Sequence, residues 1–139
     1  MAGSPDGIVT TSEGDTGLIE IKNLLHSKPL NLWQAASGNK NFCLEIMNGK
    51  LQLKKTHIYF YQCHGLLHVC EKEWIDFVVR KLNPHQIHIE RIYKDNHLWE
   101  NIMLPKLTAF YYKVILPELA SPREGKSPGI REPVIWVGY

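Results

Sequence analysis

The stretch SPDGIVTTSEGDTGLIEIKNL, Ser4 to Leu24, constrains the fold more than any other part of the chain. Two β-rich runs, Ile8 to Thr11 and Leu18 to Lys22, flank Ser12-Glu13-Gly14-Asp15-Thr16-Gly17, which is turn chemistry. This spacing predicts an antiparallel pair of strands. Side chains alternate along a strand, so Leu18, Glu20 and Lys22 share one face and Ile19 and Ile21 the other. The pairing brings Asp6, at the mouth of the first strand, close to Glu20. Two carboxylates held together repel, and a hard divalent cation removes that cost. Mg²⁺ suits such a place because it keeps several waters and takes one or two carboxylates plus phosphate oxygens. The backbone carbonyl of Ile21 offers a further ligand. Lys22 can hold a water and balance charge growing on a scissile phosphate. Its removal is therefore expected to cost turnover and to leave folding nearly intact. Taken alone, Glu-Ile-Lys alternation is also what any half-exposed strand looks like.

The chain has 139 residues, the size of one domain. With 44% apolar and 22% charged residues it has the composition of a globular protein able to bury a core without disulfides. No apolar run is long enough to span a membrane. Met1-Ala2-Gly3 leads directly into the motif, so no signal peptide is expected. Three cysteines, Cys43, Cys63 and Cys70, are an odd number in a chain with no need of staples. They point to a reducing compartment, nucleus or cytoplasm. The net charge of +2 permits a nucleic-acid partner through a local basic face without demanding one.

Further along, a short helix is expected around Leu32 to Ser37. Phe42 to Ile46 and Leu51 to Lys54 flank Asn48-Gly49, a strong two-residue hairpin signal. Thr56 to Val69 has helical spacing. Trp74 to Arg80 and Gln86 to Tyr93 read as strands joined by Asn83-Pro84-His85. Asp95 to Leu119 reads as a long helix with Leu98, Ile102, Leu107, Phe110, Tyr111, Val114 and Ile115 on its apolar side. Pro105 is expected to kink that helix or to start a second one. The chain is divided into a domain over residues 1–120 and a Pro/Gly/Ser-rich tail over 121–139, with Pro133 to Val137 apolar again.

The order Ser-Pro-Asp-Gly (Ser4–Gly7), Gly-Leu-Ile-Glu-Ile-Lys (Gly17–Lys22) and Tyr-Phe-Tyr-Gln-Cys-His-Gly (Tyr59–Gly65) resembles the YqaJ-type viral recombinase family, the phage lambda exonuclease-like branch of the PD-(D/E)xK nucleases. The likeness continues in NFCLEIMNGKLQLKKTHIYFYQ, EWIDFVVRK, IHIERIYKD and LPKLTAFYYKVILPEL, and covers roughly Ser4 to Leu119. The resemblance implies an α/β, restriction-endonuclease-like core, with a mixed central sheet flanked by helices. It implies Mg²⁺-dependent hydrolysis of DNA at duplex ends, with Mn²⁺ able to substitute. By position in the motif, Asp6 and Glu20 would be metal ligands, Lys22 the water-positioning base, and Gln62 the polar residue of the expected Thr56–Val69 helix that completes the site. Ser4 and Pro5 would shape the entry to Asp6. The family's second Gln is His64 here. Family members also carry helices ahead of the Ser-Pro-Asp-Gly strand, where this sequence has only Met1 to Ser4. A homo-oligomer, or a partner chain covering the place of the first helix, is the corresponding expectation.

Other features have competing readings. Cys63, His64, His68 and Cys70 include an i, i+4 histidine pair suited to zinc, but one helix does not let all four converge. Lys40, Lys50, Lys54 and Lys55 form a basic region that is either a solvated face or a phosphate-contacting one. Ser4 and His64 join Lys40, Lys54 and Lys55 as candidate DNA contacts. Trp33, Tyr59 and Tyr61 are candidates for stacking on a frayed base. Three functions follow: a metal-dependent deoxyribonuclease; a truncated, weakly active or inactive nuclease-like module that binds DNA or a protein; or a structural zinc domain.

Overall fold

The computed structural model describes residues 2–24 and 30–121. The expected tail over 122–139, with its apolar run, lies outside the described residues. The chain forms two compact units, Met1–Asp95 and Asn96–Tyr139.

In the first unit, β1 (Gly7–Thr10) and β2 (Thr16–Leu24) pair antiparallel, with Gly7 opposite Ile19 and Thr10 opposite Thr16. The turn between them closes through the Thr11 N–H to the Asp15 carbonyl, with Gly14 at φ +87°. This is a left-handed conformation that costs glycine nothing. The chain then crosses through α1 (Leu32–Gly38), the hairpin β3 (Leu44–Met47) and β4 (Lys50–Leu53), and α2 (Ile58–Val69). It re-enters the sheet as β5 (Trp74–Lys81), parallel to β2, and turns back as β6 (Gln86–Tyr93), antiparallel to β5. The sheet order is β1-β2-β5-β6, and β3–β4 stands as a separate two-stranded sheet. The result is a mixed α/β architecture with a mixed sheet, as expected.

Local chemistry explains the pieces. At the β3–β4 turn, Asn48 and Gly49 have φ of 51° and 71°, the paired positive values that a tight hairpin turn of matching twist requires. The α1 N-terminus carries a capping box. The Asn31 side chain accepts from the Gln34 N–H at 2.8 Å, and the Gln34 side chain accepts from the Asn31 N–H at 2.9 Å. His57 caps α2, its Nδ1 accepting the Tyr59 N–H at 3.2 Å. Two side chains of β6 hold the crossover to the sheet. Gln86 Oε1 accepts the Leu32 N–H at 2.8 Å, and Glu90 Oε2 accepts the Leu53 N–H at 2.6 Å.

The core lies between α2 and one face of the sheet. Register partners Leu18–Ile75, Glu20–Phe77 and Lys22–Val79 share that face. Ile75, Phe77 and Val79 are wholly buried there, with Cys63, Leu66 and Leu67 of α2 in the same cluster. On the other face Trp74 lies on Gly17, where a Cβ would come within 2.2 to 2.4 Å of three indole atoms. The indole N–H donates to Asp15 Oδ2 at 2.7 Å. The Arg91 guanidinium stacks 3.6 Å above the ring while pairing bidentately with Asp76 at 2.8 and 2.9 Å.

The second unit begins with helical segments α3 (Asn96–Leu98), α4 (Leu104–Phe110) and α5 (Leu116–Ala120). They are joined without a break by two π-turns, Trp99–Met103 and Tyr111–Ile115. A second α-helical segment, α4, starts at Leu104 with Pro105 in its first turn, the restart expected there, and Pro117 repeats the arrangement in α5. Each proline is the second residue after a π-turn. The Leu104 N–H reaches back to the Trp99 carbonyl and the Leu116 N–H to the Tyr111 carbonyl, five residues away. The wider turn gives room where a proline ring would strike the preceding carbonyl and where its N–H is missing. Of the apolar stripe expected on this helix, Val114 is buried, whereas Ile102, Leu107, Phe110, Tyr111 and Ile115 are exposed.

Candidate active site

The β1–β2 register ends at Gly7 opposite Ile19, so Asp6 sits one step further, at the level of Glu20. Its Oδ2 accepts the Ile21 N–H at 2.7 Å. An extended residue directs its N–H and C=O to the same strand edge. The Ile21 carbonyl therefore faces the Asp6 side as well, where the backbone-ligand reading needs it.

Glu20 is only 3% exposed. Its Oε1 accepts two short hydrogen bonds, from Lys22 Nζ at 2.7 Å and from Gln62 Nε2 at 2.7 Å. Its Oε2 is buried and makes no hydrogen bond. Three of the four residues singled out from the sequence thus meet at one carboxylate. The fourth, Asp6, meets the backbone of the residue between Glu20 and Lys22. The local reason is alternation along β2, which turns Glu20 and Lys22 together toward α2, plus the i, i+3 spacing of Tyr59 and Gln62 on the helix.

Tyr59 belongs to the site in a way the sequence reading did not assign. Lys22 Nζ lies 4.5 Å from the centroid of its ring. The ring is itself held by His57 at 4.6 Å and Phe77 at 6.0 Å. The ammonium is fixed between a carboxylate and an aromatic face, both of which attract a cation. The legible signal was that Tyr59 precedes Gln62 by three residues, so both face β2. Lys22, its side chain 18% exposed, pairs with an almost wholly buried carboxylate, so its removal is now expected to cost stability as well as turnover.

The other candidates scatter. His64 is 2% exposed and packs edge-on against Phe60 at 4.5 Å, so it is a core residue and not a DNA contact. Burial lowers its pKa, with Asp95 opposing and His68 assisting. His64 is interior because its face of α2 also carries Leu67. Cys63 is buried beside the site. Burial first, and the Glu20 charge second, push its thiol up to about 12. Cys43 is pushed up to about 11 by burial. Both are inert thiols. The His68 Nδ1–H donates to the His64 carbonyl at 2.8 Å. Lys54 Nζ donates to the Lys40 carbonyl at 2.7 Å, which ties the basic region together. Lys40, Lys55 and Ser4 are exposed.

Among the described residues, no three His, Cys, Asp or Glu side chains gather into a group that could hold a metal ion. Asp6 and Glu20 are two carboxylates, the donor type of a hard ion such as Mg²⁺, which takes one or two carboxylates and keeps several waters. The partnerless Oε2 of Glu20 is the observation that fits a cation best, since a buried carboxylate oxygen without a donor is costly unless something positive reaches it. Among the described residues no helix is long and apolar enough to cross a membrane. Comparison with family models, with curated proteins and with solved structures finds no match.

Proposed function

We propose that this chain is a metal-dependent deoxyribonuclease of the YqaJ, lambda exonuclease-like type, with Asp6, Glu20, Lys22 and Gln62 as its catalytic set. One observation carries the reading. A buried glutamate is held by a lysine and a glutamine through a single oxygen, leaving the buried Oε2 without a partner on a strand whose next residue, Ile21, donates to a second carboxylate, Asp6. A residue present only for fold stability would gain from pairing both oxygens.

Asp6 and Glu20, with the Ile21 carbonyl, would hold Mg²⁺ or Mn²⁺. Such an ion, when bound, neutralises phosphate charge and makes a water more acidic. Lys22 orients the attacking water and opposes the negative charge that grows on the phosphate oxygens. Gln62 fixes the Glu20 rotamer, and Tyr59 fixes the Lys22 ammonium. The substrate is double-stranded DNA at its ends, the class that the family resemblance implies. The exposed Lys40 and Lys55 are available to phosphates in a sequence-blind manner.

A second reading, a nuclease-like module that binds a protein or DNA without cutting it, is favoured by one feature. The sheet face opposite α2 leaves Ile87, Ile89 and Tyr93 exposed at 53%, 62% and 66%. End-labelled linear duplex, incubated with and without Mg²⁺, separates the two. The nuclease reading expects Mg²⁺-dependent release of nucleotides that Asp6→Asn and Glu20→Gln abolish. Binding of the duplex with no release under any divalent ion would leave the second reading in its place.

A further inference from the structure

His57 stands at the start of α2 and touches Tyr59 twice. Its Nδ1 accepts the Tyr59 N–H at 3.2 Å, and its ring packs against the Tyr59 ring at 4.6 Å, tilted by 58°. The Tyr59 ring in turn lies 4.5 Å from Lys22 Nζ, and Lys22 reaches Glu20 at 2.7 Å. One chain of contacts therefore runs from a capping histidine to the ammonium of the candidate active site. Phe77 also flanks the Tyr59 ring, but at 6.0 Å. His57 is the closer of the two and the one that also holds the Tyr59 backbone.

The cap works in one protonation state only. Nδ1 must offer a lone pair to the Tyr59 N–H, so the proton of the neutral ring belongs on Nε2. A protonated ring carries hydrogens on both nitrogens and sets a donor against a donor. It also puts a positive charge at the helix end where the N–H groups already point outward. Lys54 stands in the turn that leads into α2. Its carbonyl accepts the His57 N–H at 3.0 Å, and its ammonium disfavours a second cation there. The groups that face the ring are thus Lys54 before the helix, Tyr59 on it and, beyond the Tyr59 ring, Lys22 with Glu20 on β2. The Glu20 carboxylate is already engaged by Lys22 and Gln62. Burial first, and Lys54 second, lower the His57 pKa from 6.5.

Loss of the cap releases Tyr59 at its backbone and its ring together. Gln62 lies further into the helix and is bonded directly to Glu20 at 2.7 Å. The slackening therefore falls on Lys22 and spares the Gln62 contact.

We propose that His57 is a positioning residue for Lys22: neutral, it holds Tyr59 against the ammonium, and protonated, it lets the pair go. This rests on the nuclease reading for what Lys22 does, but not for the chain of contacts itself. The site is then fully assembled at neutral pH and above. It slackens as the pH falls below the ordinary histidine range near 6.5.

The test is NMR of the full chain labelled with carbon-13 lysine, without divalent ions, from about pH 7.5 to about pH 5.5. An aromatic face displaces nearby side-chain protons to high field. The Lys22 ε-methylene, assigned by its absence in Lys22→Met, therefore reports the distance to Tyr59. In the parent it should lie at high field at the upper pH and return toward the exposed lysines as the pH falls. In His57→Asn, whose amide oxygen caps the same N–H without titrating, it should stay in place across the range. His57→Ser, a second cap that does not titrate, serves if circular dichroism shows His57→Asn unfolded. Tyr59→Leu should remove the high-field displacement at every pH. A parent resonance that ignores pH overturns the assignment, and so does one that moves equally in the capped variant. Cleavage of end-labelled linear duplex with Mg²⁺ gives the second arm. Over the same range the parent should lose about two- to fivefold more activity than His57→Asn, the worth of one cation–π contact. If the resonance follows His57 while the duplex stays uncut at every pH, the positioning role stands and the nuclease reading falls. If the duplex is cut, the pH profiles coincide and the resonance ignores His57, the reverse holds.

Discussion

Replacing Lys22 by Met keeps most of the aliphatic stem over Tyr59 and removes the charge that Glu20 faces. Glu20 is almost wholly buried, and its Oε1 keeps only the Gln62 amide while Oε2 still has no partner. Removing one partner of a buried pair typically costs about 3–5 kcal/mol. Local rearrangement offsets part of this, so the loss expected for Lys22→Met is about 2–4 kcal/mol at pH 7. Adding Glu20→Gln should recover most of the loss, because an amide needs no counter-charge. Urea unfolding followed by far-ultraviolet circular dichroism, without divalent ions, measures all three proteins. A loss below about 0.5 kcal/mol would refute the argument, and so would a double variant no more stable than Lys22→Met. The latter would assign the effect to packing of the lysine stem.

Tyr59→Leu should lower stability through the lost ring face by about 1 kcal/mol more than Tyr59→Phe, and the difference should vanish when Lys22 is already Met; an undiminished difference in that background would contradict the cation–π contact. His57 and His64 both have lowered pKa values, each chiefly through burial, with Lys54 also disfavouring the charged form of His57. The folded state therefore prefers both neutral, and their contribution is fully present above pH 6.5 and fades as pH falls below it. The urea midpoint should drop between pH 7.5 and pH 5.5, and His57→Asn, which keeps a capping oxygen that does not titrate, should flatten part of that drop. A midpoint that rises on acidification would contradict the assignment. Gly17→Ala forces a methyl into the Trp74 indole and should cost about 1–3 kcal/mol; a neutral outcome would show that the indole can move off its place under Arg91.

The parts of the fold that are local in origin were legible. Asn48-Gly49 announced its hairpin because only residues tolerant of positive φ make that turn. The β1–β2 pair followed from two short runs around a Gly/Asp turn, and α2 from its spacing. The non-local parts were not. Nothing in the alternation of β5 says that it lies parallel to β2, because that pairing is set by a crossover of three separate elements. The π-turns at Pro105 and Pro117 escaped notice because the surrounding pattern stays helical and only the backbone registers the extra residue. His64 was read as a surface group from its polarity, whereas its position three residues before Leu67 placed it on the buried face. At the candidate site, the motif residues Asp6, Glu20 and Lys22, and Gln62 from the resemblance, were named in advance; Lys22 and Gln62 meet at one oxygen of Glu20, and Asp6 meets the Ile21 N–H. The sequence did not supply Tyr59 in its place beneath Lys22, because a contact between a strand lysine and a helix ring depends on how α2 lies on the sheet.

The proposed nuclease function rests on the partnerless oxygen of Glu20 and the carboxylate of Asp6 taking a hard divalent ion. Calorimetric titration of the chain with Mn²⁺ tests it without any substrate. The account predicts weak binding of a divalent ion at this place, lost in the Asp6→Asn/Glu20→Gln double variant while circular dichroism shows that variant folded. Equal Mn²⁺ binding by the parent and the double variant would contradict it.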